Sequence, residues 1–187
     1  MGLRVKLVKR PEFLRVFLAC AAFALVAWIA DSVSEVNRIS VPLSVVTARA
    51  AEALLTSLQM RPVREQCILS DPTGFSYQID FACTGIIPAG LLLVAILTSV
   101  APVRAKLAGL AIGVPSTLAL NLIRLVDLFY IGVHHPRAFP RAHSPLWEAV
   151  ISVFLLAFYC LWMCWVYRTT LRVPRWPKHL ELASKES

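Results

Sequence analysis

The chain has 187 residues, 58% of them apolar and only 16% charged, with a mean hydropathy of +0.67 and a formal net charge of +8. Water-soluble domains of this length run near half apolar and a quarter charged, so too few charges remain here to coat a globule. The composition excludes a soluble enzyme, a secreted disulfide scaffold and a disordered tail, and it implies an integral membrane protein.

Arg4, Lys6, Lys9 and Arg10 precede a first apolar run, Phe13 to Ala30. A cleaved leader has the same outline, but this run is long for one and Ala27 and Ala30 make a poor small-x-small site. It is therefore expected to remain as an anchor. Val41 to Met60 is mostly apolar yet carries Arg49 and Glu52, which suits an interfacial or re-entrant helix better than a free span. Cys67-Ile68-Leu69, the turn residues Asp71-Pro72-Thr73-Gly74, and then Phe75, Tyr77, Ile79 and Phe81 alternating with polar residues predict a short β-hairpin. It delivers the chain to Cys83. Three uncharged runs follow, within Phe81–Val103, Leu107–Ile123 and Ala149–Tyr167, each about the length that crosses a bilayer as helix.

Placing spans at 13–30, 84–103, 107–131 and 147–167 puts three basic segments on one side: the N-terminus, Arg104 with Lys106, and the tail 168–187 with Arg168, Arg172, Arg175, Lys178 and Lys185. The positive-inside rule makes that side the cytoplasm. Counting residues 41–60 as a further span would break this agreement. The expected fold is an all-α membrane protein, one domain over residues 1–187, with about four transmembrane helices. To these it adds an external segment, 31–83, holding the amphipathic or re-entrant helix and the hairpin. The surplus charge is a topology signal, and no nucleic-acid partner is expected.

Three features can carry chemistry. Cys83 falls where an extended segment becomes a helix, and the free N–H groups of a helix start favour thiolate, the nucleophilic form of cysteine. Cysteine at a helix start is also a common structural residue. Cys20, Cys160 and Cys164 lie inside spans, where the residue ordinarily acts as a small hydrophobe. Asn121, Arg124 and Asp127 recur every three residues and form a polar stripe on an apolar helix. An arginine at that depth must face a partner or a polar cavity, and pairing with Asp127 is the plain alternative. The helix runs on about 10 Å from Arg124 to the external surface near Ile131, so a snorkelling guanidinium can reach the level of Cys83. The loop from His134 to Pro145 holds His134, His135 and His143. Adjacent histidines without a carboxylate cluster make a poor metal site, so no metal and no cofactor are expected. His143, just before the last span and level with Cys83, is the best placed to move a proton.

A thiol, a water-shielded arginine and a histidine at one face supply a nucleophile, an anion stabiliser and an acid/base, the inventory for acyl transfer through a thioester. Three blocks resemble the exosortase/archaeosortase group of membrane cysteine transpeptidases: F-A-C-T-G-I around Cys83, A-L-N-L-I-R-L-V-D-L-F-Y around Arg124, and F-P-R-A-H-S-P-L-W-E around His143. The similarity extends over about residues 41–167, and the short chain looks most like the compact exosortase H type. Thr84 after the cysteine, where Ser or Asn is commoner, and Ile87-Pro88 depart from the pattern. The resemblance implies catalytic Cys83, Arg124 and His143 and puts the family's asparagine at Asn121; on the residues themselves, Asp127 and Thr84 are expected, like Asn121, to support them or bind substrate. It further implies a sorting enzyme of the bacterial or archaeal cytoplasmic membrane. Its partners would be membrane-anchored proteins ending in a motif, a helix and a basic tail, an acceptor amine, lipid or glycan, and the membrane lipid itself.

Two rivals remain at this level. A four-span disulfide-generating oxidoreductase would use Cys67 and Cys83 as a pair, although it lacks a Cys-x-x-Cys dithiol. A non-catalytic membrane scaffold would use the polar stripe as helix glue. Neither G-x-S-x-G nor H-E-x-x-H occurs, which disfavours an intramembrane serine or metalloprotease.

Overall fold

Six helices and one small sheet make up the described part of the chain, residues 10–32 and 37–170 of a computed structural model. The basic residues Arg4, Lys6 and Lys9 and the tail beyond residue 170 lie outside the described residues. Helix α1 (Arg10–Ser32) contains the first apolar run, and α2 (Asn37–Ser57) is the expected amphipathic helix. In α2, Ser44, Ala48, Ala51 and Leu55 recur at helical spacing and are buried, while Val41, Val46 and Leu54 stay exposed.

The hairpin expected from the sequence is a three-stranded antiparallel sheet, β1 (Val63–Glu65), β2 (Ile68–Ser70) and β3 (Ser76–Gln78), in the order β1-β2-β3. Strand β1 is the correction. Val-Arg-Glu carries no apolar alternation, and β1 is held by pairing Val63 with Ser70 and Glu65 with Ile68. A 2.6 Å ion pair from Arg64 to Glu52 of α2 adds to this. The turn residues act as read: Gly74 N–H donates to the Asp71 carbonyl, Thr73 N–H to the Asp71 carboxylate, and Gly74 takes φ +99°. The alternation also holds, with Tyr77 and Ile79 buried inward.

A 3-10 turn, Phe81–Thr84, follows and leads into α3 (Ile86–Thr98). At 13 residues, about 20 Å, α3 is shorter than the expected span 84–103, because Ser99 ends it and the chain breaks before Pro102. Helix α4 (Val103–His134) has 32 residues and is about 48 Å long. The loop expected over 132–146 is largely helical: a short turn α5 (Phe139–Arg141), a π-helical turn (Ala142–Leu146), and α6 (Trp147–Thr170). Pro145 accounts for the widened turn. It has no N–H to give the carbonyl of residue 141, and the Trp147 N–H reaches back five residues to Ala142 instead.

Two helical stretches among the described residues are long and apolar enough to cross a membrane, Val103–His134 and Phe139–Thr169. The second has 31 residues, more than the roughly 20 a bilayer core needs. Its uncharged part is Ala149–Tyr167, so Arg141, His143 and Glu148 stand beyond the apolar run.

Two apolar clusters sit at opposite ends of α4. One gathers Leu92, Ile96, Ala105, Trp162 and Val166, and there the Trp162 indole N–H donates to the Ala105 carbonyl and Lys106 Nζ to the Leu97 carbonyl. The other gathers Ala48, Ala51, Leu55, Leu69, Tyr77, Ile79, Leu125, Leu128, Phe129 and Cys83. Arg104 and Arg124 are twenty residues apart on one helix, so about 30 Å separates the basic gap from the cysteine end. Gly132 permits the sheet to lie on α4, since a Cβ there would fall 2.0 Å from the Phe75 ring.

Candidate active site

Strand β3 runs directly into the segment that carries the cysteine. Asp80 is extended, Cys83 N–H donates to the Asp80 carbonyl at 2.9 Å, and the 3-10 turn closes on Gly85, which has φ +80°. Cys83 is buried, with 6% of its surface exposed. Thr84 is also buried and holds the turn: its hydroxyl donates to the Phe81 carbonyl at 2.7 Å and accepts the Ile86 N–H at 3.5 Å.

The sequence places the sulfur beside the first N–H groups of a helix. In the structure α3 begins three residues later, beyond the left-handed Gly85, and the Ile86 N–H is given to Thr84. The sulfur is hydrogen-bonded by another group, the Tyr77 hydroxyl, which donates to Cys83 Sγ at 3.3 Å. Sequence reasoning missed Tyr77. The signal was present, because it is the residue of the inward-facing set Phe75, Tyr77, Ile79 and Phe81 that carries a polar atom.

The stripe on α4 acts residue by residue on the segments beside it. Asn121, 1% exposed, donates from Nδ2 to the Cys83 carbonyl at 2.7 Å. Arg124, 8% exposed, donates from Nη2 to the His143 carbonyl at 3.2 Å. Asp127 accepts the Trp147 indole N–H at 2.8 Å. The plain alternative, an Arg124–Asp127 ion pair, does not form. Asn121 Oδ1 and Arg124 Nε are buried without a hydrogen-bond partner among the described residues.

His143 lies in the π-helical turn, half-buried. Its ring stacks on Phe139, with centroids 5.5 Å apart and planes at 26°, and meets the Tyr77 ring edge-on at 5.9 Å. Tyr77 therefore touches both the cysteine and the histidine, while Asn121 is bonded to the cysteine's carbonyl and Arg124 to the histidine's. Burial, and after it the Arg124 charge, pushes the His143 imidazole below the usual histidine range, against the smaller pull of Glu148 and Asp80. Burial, and then the neighbouring Cys83, raises the Tyr77 hydroxyl well above its usual range, so it stays protonated and donates.

The other candidates stand apart. His134 and His135 are exposed and line an open surface hollow with Pro136, Arg137 and Ala138, and His134 stacks on Tyr130. Among the described residues no group of three potential ligands could hold a metal. All five cysteines are free thiols, Cys67 being half-buried. Cys160 and Cys164, within the last apolar run, lie on the outward face of α6.

The family model for transmembrane exosortases matches residues 4–163. The chain belongs to the transmembrane exosortase family. That match runs from the start of the chain through most of α6 and takes in every member of the cluster, and it identifies the exosortase chain as a membrane protein. No curated protein and no solved structure matches it.

Gly85 packs directly against Asn121 in this exosortase cluster. An added Cβ would stand 2.8 Å from Asn121 Cβ at a φ that L-residues disfavour by about 1–2 kcal/mol. Gly85→Ala is therefore expected to lower stability by about 2 kcal/mol or more and to break the Asn121–Cys83 contact. Thermal unfolding in detergent checks it, and an unchanged midpoint contradicts it.

Proposed function

We propose that this chain is a membrane cysteine transpeptidase or peptidase that cleaves the C-terminal sorting tail of exported, membrane-tethered proteins. The new carboxyl passes through a thioester on Cys83 to an acceptor amine or to water. The observation that carries this reading is the convergence of Cys83, Arg124 and His143 in one buried cluster, tied by the Arg124–His143 and Asn121–Cys83 hydrogen bonds and bridged by Tyr77. Family membership supports the class of reaction.

In this scheme the neutral His143 imidazole takes the Cys83 S–H proton. The sulfur attacks the scissile carbonyl carbon, a C–S bond forms, and the carbonyl electron pair moves to oxygen, opposite the Arg124 guanidinium. Collapse breaks the C–N bond, and the histidine returns its proton to the leaving amine. An acceptor amine or water then attacks the thioester, the neutral His143 takes its proton, the C–S bond breaks, and the sulfur leaves as thiolate, which the histidine proton restores to the thiol. Asn121 and Thr84 hold the cysteine segment, and Asp127 holds the histidine segment through Trp147. Four crossings with both termini cytoplasmic would put the cluster at the external surface, where a substrate helix docking laterally presents the motif just outside the bilayer.

The reaction is tested by co-expressing a tagged protein that ends in motif, helix and basic cluster with wild-type, Cys83→Ala or Cys67→Ala enzyme, and following its mass on a gel. Loss with Cys83→Ala alone supports the reading. Processing that survives Cys83→Ala contradicts it, and loss with both variants points to disulfide chemistry.

The depressed His143 pKa fixes the sign of the pH dependence. The neutral base is the populated form at pH 7, and acid removes it only below the ordinary histidine value of about 6.5. Processing by isolated membranes is expected to hold at neutral pH and to fall on acidification with a midpoint below 6.5. A midpoint above 7 would exclude His143 as the base.

A further inference from the structure

We infer that the Tyr77 hydroxyl is a further catalytic group of this site, donating a hydrogen bond to Cys83 Sγ that stabilises the thiolate both as nucleophile and as leaving group. The inference rests on the proposed role of Cys83 and adds to it.

A tyrosine facing inward from a strand must find a partner for its hydroxyl, and here that partner is the sulfur, at 3.3 Å. A neutral thiol is a weak acceptor, whereas a thiolate makes a charge-assisted bond about twice as strong as a neutral one. The interaction therefore strengthens when negative charge reaches the sulfur, which is the condition for an interaction to accelerate a reaction. Charge is on the sulfur twice in the cycle: before it attacks the carbonyl carbon, and again when the C–S bond of the thioester breaks and the electron pair returns to it. Tyr77 keeps its proton at both points, and the S–H proton goes to His143.

The ring is fixed from several sides. Tyr77 pairs with Leu69 across the sheet and meets Phe139 edge-on at 5.6 Å and His143 at 5.9 Å. The charged and titratable groups facing the pair are Arg124 from α4, His143 from the π-helical turn and Asp80 from the connection after β3. From α2 the buried residues on this side are the uncharged Ser44, Ala48, Ala51 and Leu55.

Tyr77→Phe removes one oxygen and leaves both ring contacts. In membranes carrying the full chain, the pH profile of iodoacetamide alkylation at Cys83 is read by mass spectrometry of its peptide, alongside tail processing. Both readouts are normalised to the amount of chain. Tyr77→Phe is expected to move the alkylation profile up by about one pH unit and to slow processing roughly tenfold or more, with KM unchanged. Difluorotyrosine at position 77, a stronger donor of the same shape, is expected to move the profile the other way, which covers a Phe variant that accumulates poorly. An unchanged profile in both variants, with processing within twofold of wild type, overturns the inference. A Cys83→Ala enzyme that still processes overturns instead the nucleophile assignment beneath it.

Discussion

Cys83→Ala is expected to abolish tail processing, with a fall of about 10⁴-fold or more, because removing a covalent nucleophile leaves only the modest acceleration that binding and electrostatics supply. Cys83→Ser should be nearly as severe. A serine hydroxyl is a far weaker nucleophile than a thiol, and it would inherit a site whose donor is set at sulfur distance, 3.3 Å from Tyr77 Oη. Neither variant should unfold the chain. The Asn121 bond goes to the residue 83 carbonyl and survives both substitutions, and alanine fits the buried site with loss of one sulfur atom. Cys67→Ala should process at the wild-type rate. Cys67 contributes its carbonyl to the Ile79 N–H, and its thiol is half-buried and free. Equal loss in Cys67→Ala and Cys83→Ala would move the chemistry from one thiol to two.

Arg124 carries the second large effect. Its guanidinium is buried at the cysteine end of α4, donates through Nη2 to the His143 carbonyl, and leaves Nε without a partner among the described residues. Asp127, one turn away, is occupied by the Trp147 indole. A buried charge held without a carboxylate partner among the described residues is a poor device for stability, which supports the proposed role in the reaction. Arg124→Ala is expected to lower processing by about 10²–10³-fold while the chain accumulates normally. Arg124→Lys should rescue little, since a single ammonium without the guanidinium fork cannot serve both the His143 carbonyl and the direction in which Nε points. The residual activity of Arg124→Ala should also have its acid midpoint shifted upward, because Arg124 is one of the groups holding the His143 pKa down. Processing within a few-fold of wild type would make Arg124 structural.

The three side-chain hydrogen bonds from α4 show why part of this site was legible and part was not. Spacing of three residues places Asn121, Arg124 and Asp127 on one side of a helix whatever the rest of the chain does, so the stripe follows from local geometry. Its partners do not. The bonds to Cys83, His143 and Trp147 close over 38, 19 and 20 residues. The obvious local pairing, Arg124 with Asp127, lost to those distant groups. Tyr77 was legible as a buried strand residue from its alternation with polar neighbours, but its contact with a sulfur six residues on depends on the 3-10 turn and the left-handed Gly85. Strand β1 and the π-helical turn were missed for different reasons. Val63-Arg64-Glu65 has no apolar period and is ordered by its neighbours, whereas the sequence around Pro145 reads as a break although the helix passes through it by widening one turn.

The proposed reaction passes through a covalent bond between substrate and Cys83, and trapping that bond tests it most directly. Membranes carrying wild-type enzyme and substrate are quenched in acid, digested, and the peptide containing Cys83 is weighed with and without neutral hydroxylamine. The expected result is an adduct on Cys83 equal in mass to the acyl fragment of the substrate, removed by hydroxylamine and increased when the acceptor is withheld. Ongoing processing with no adduct on Cys83, or with the adduct on another residue, would contradict it.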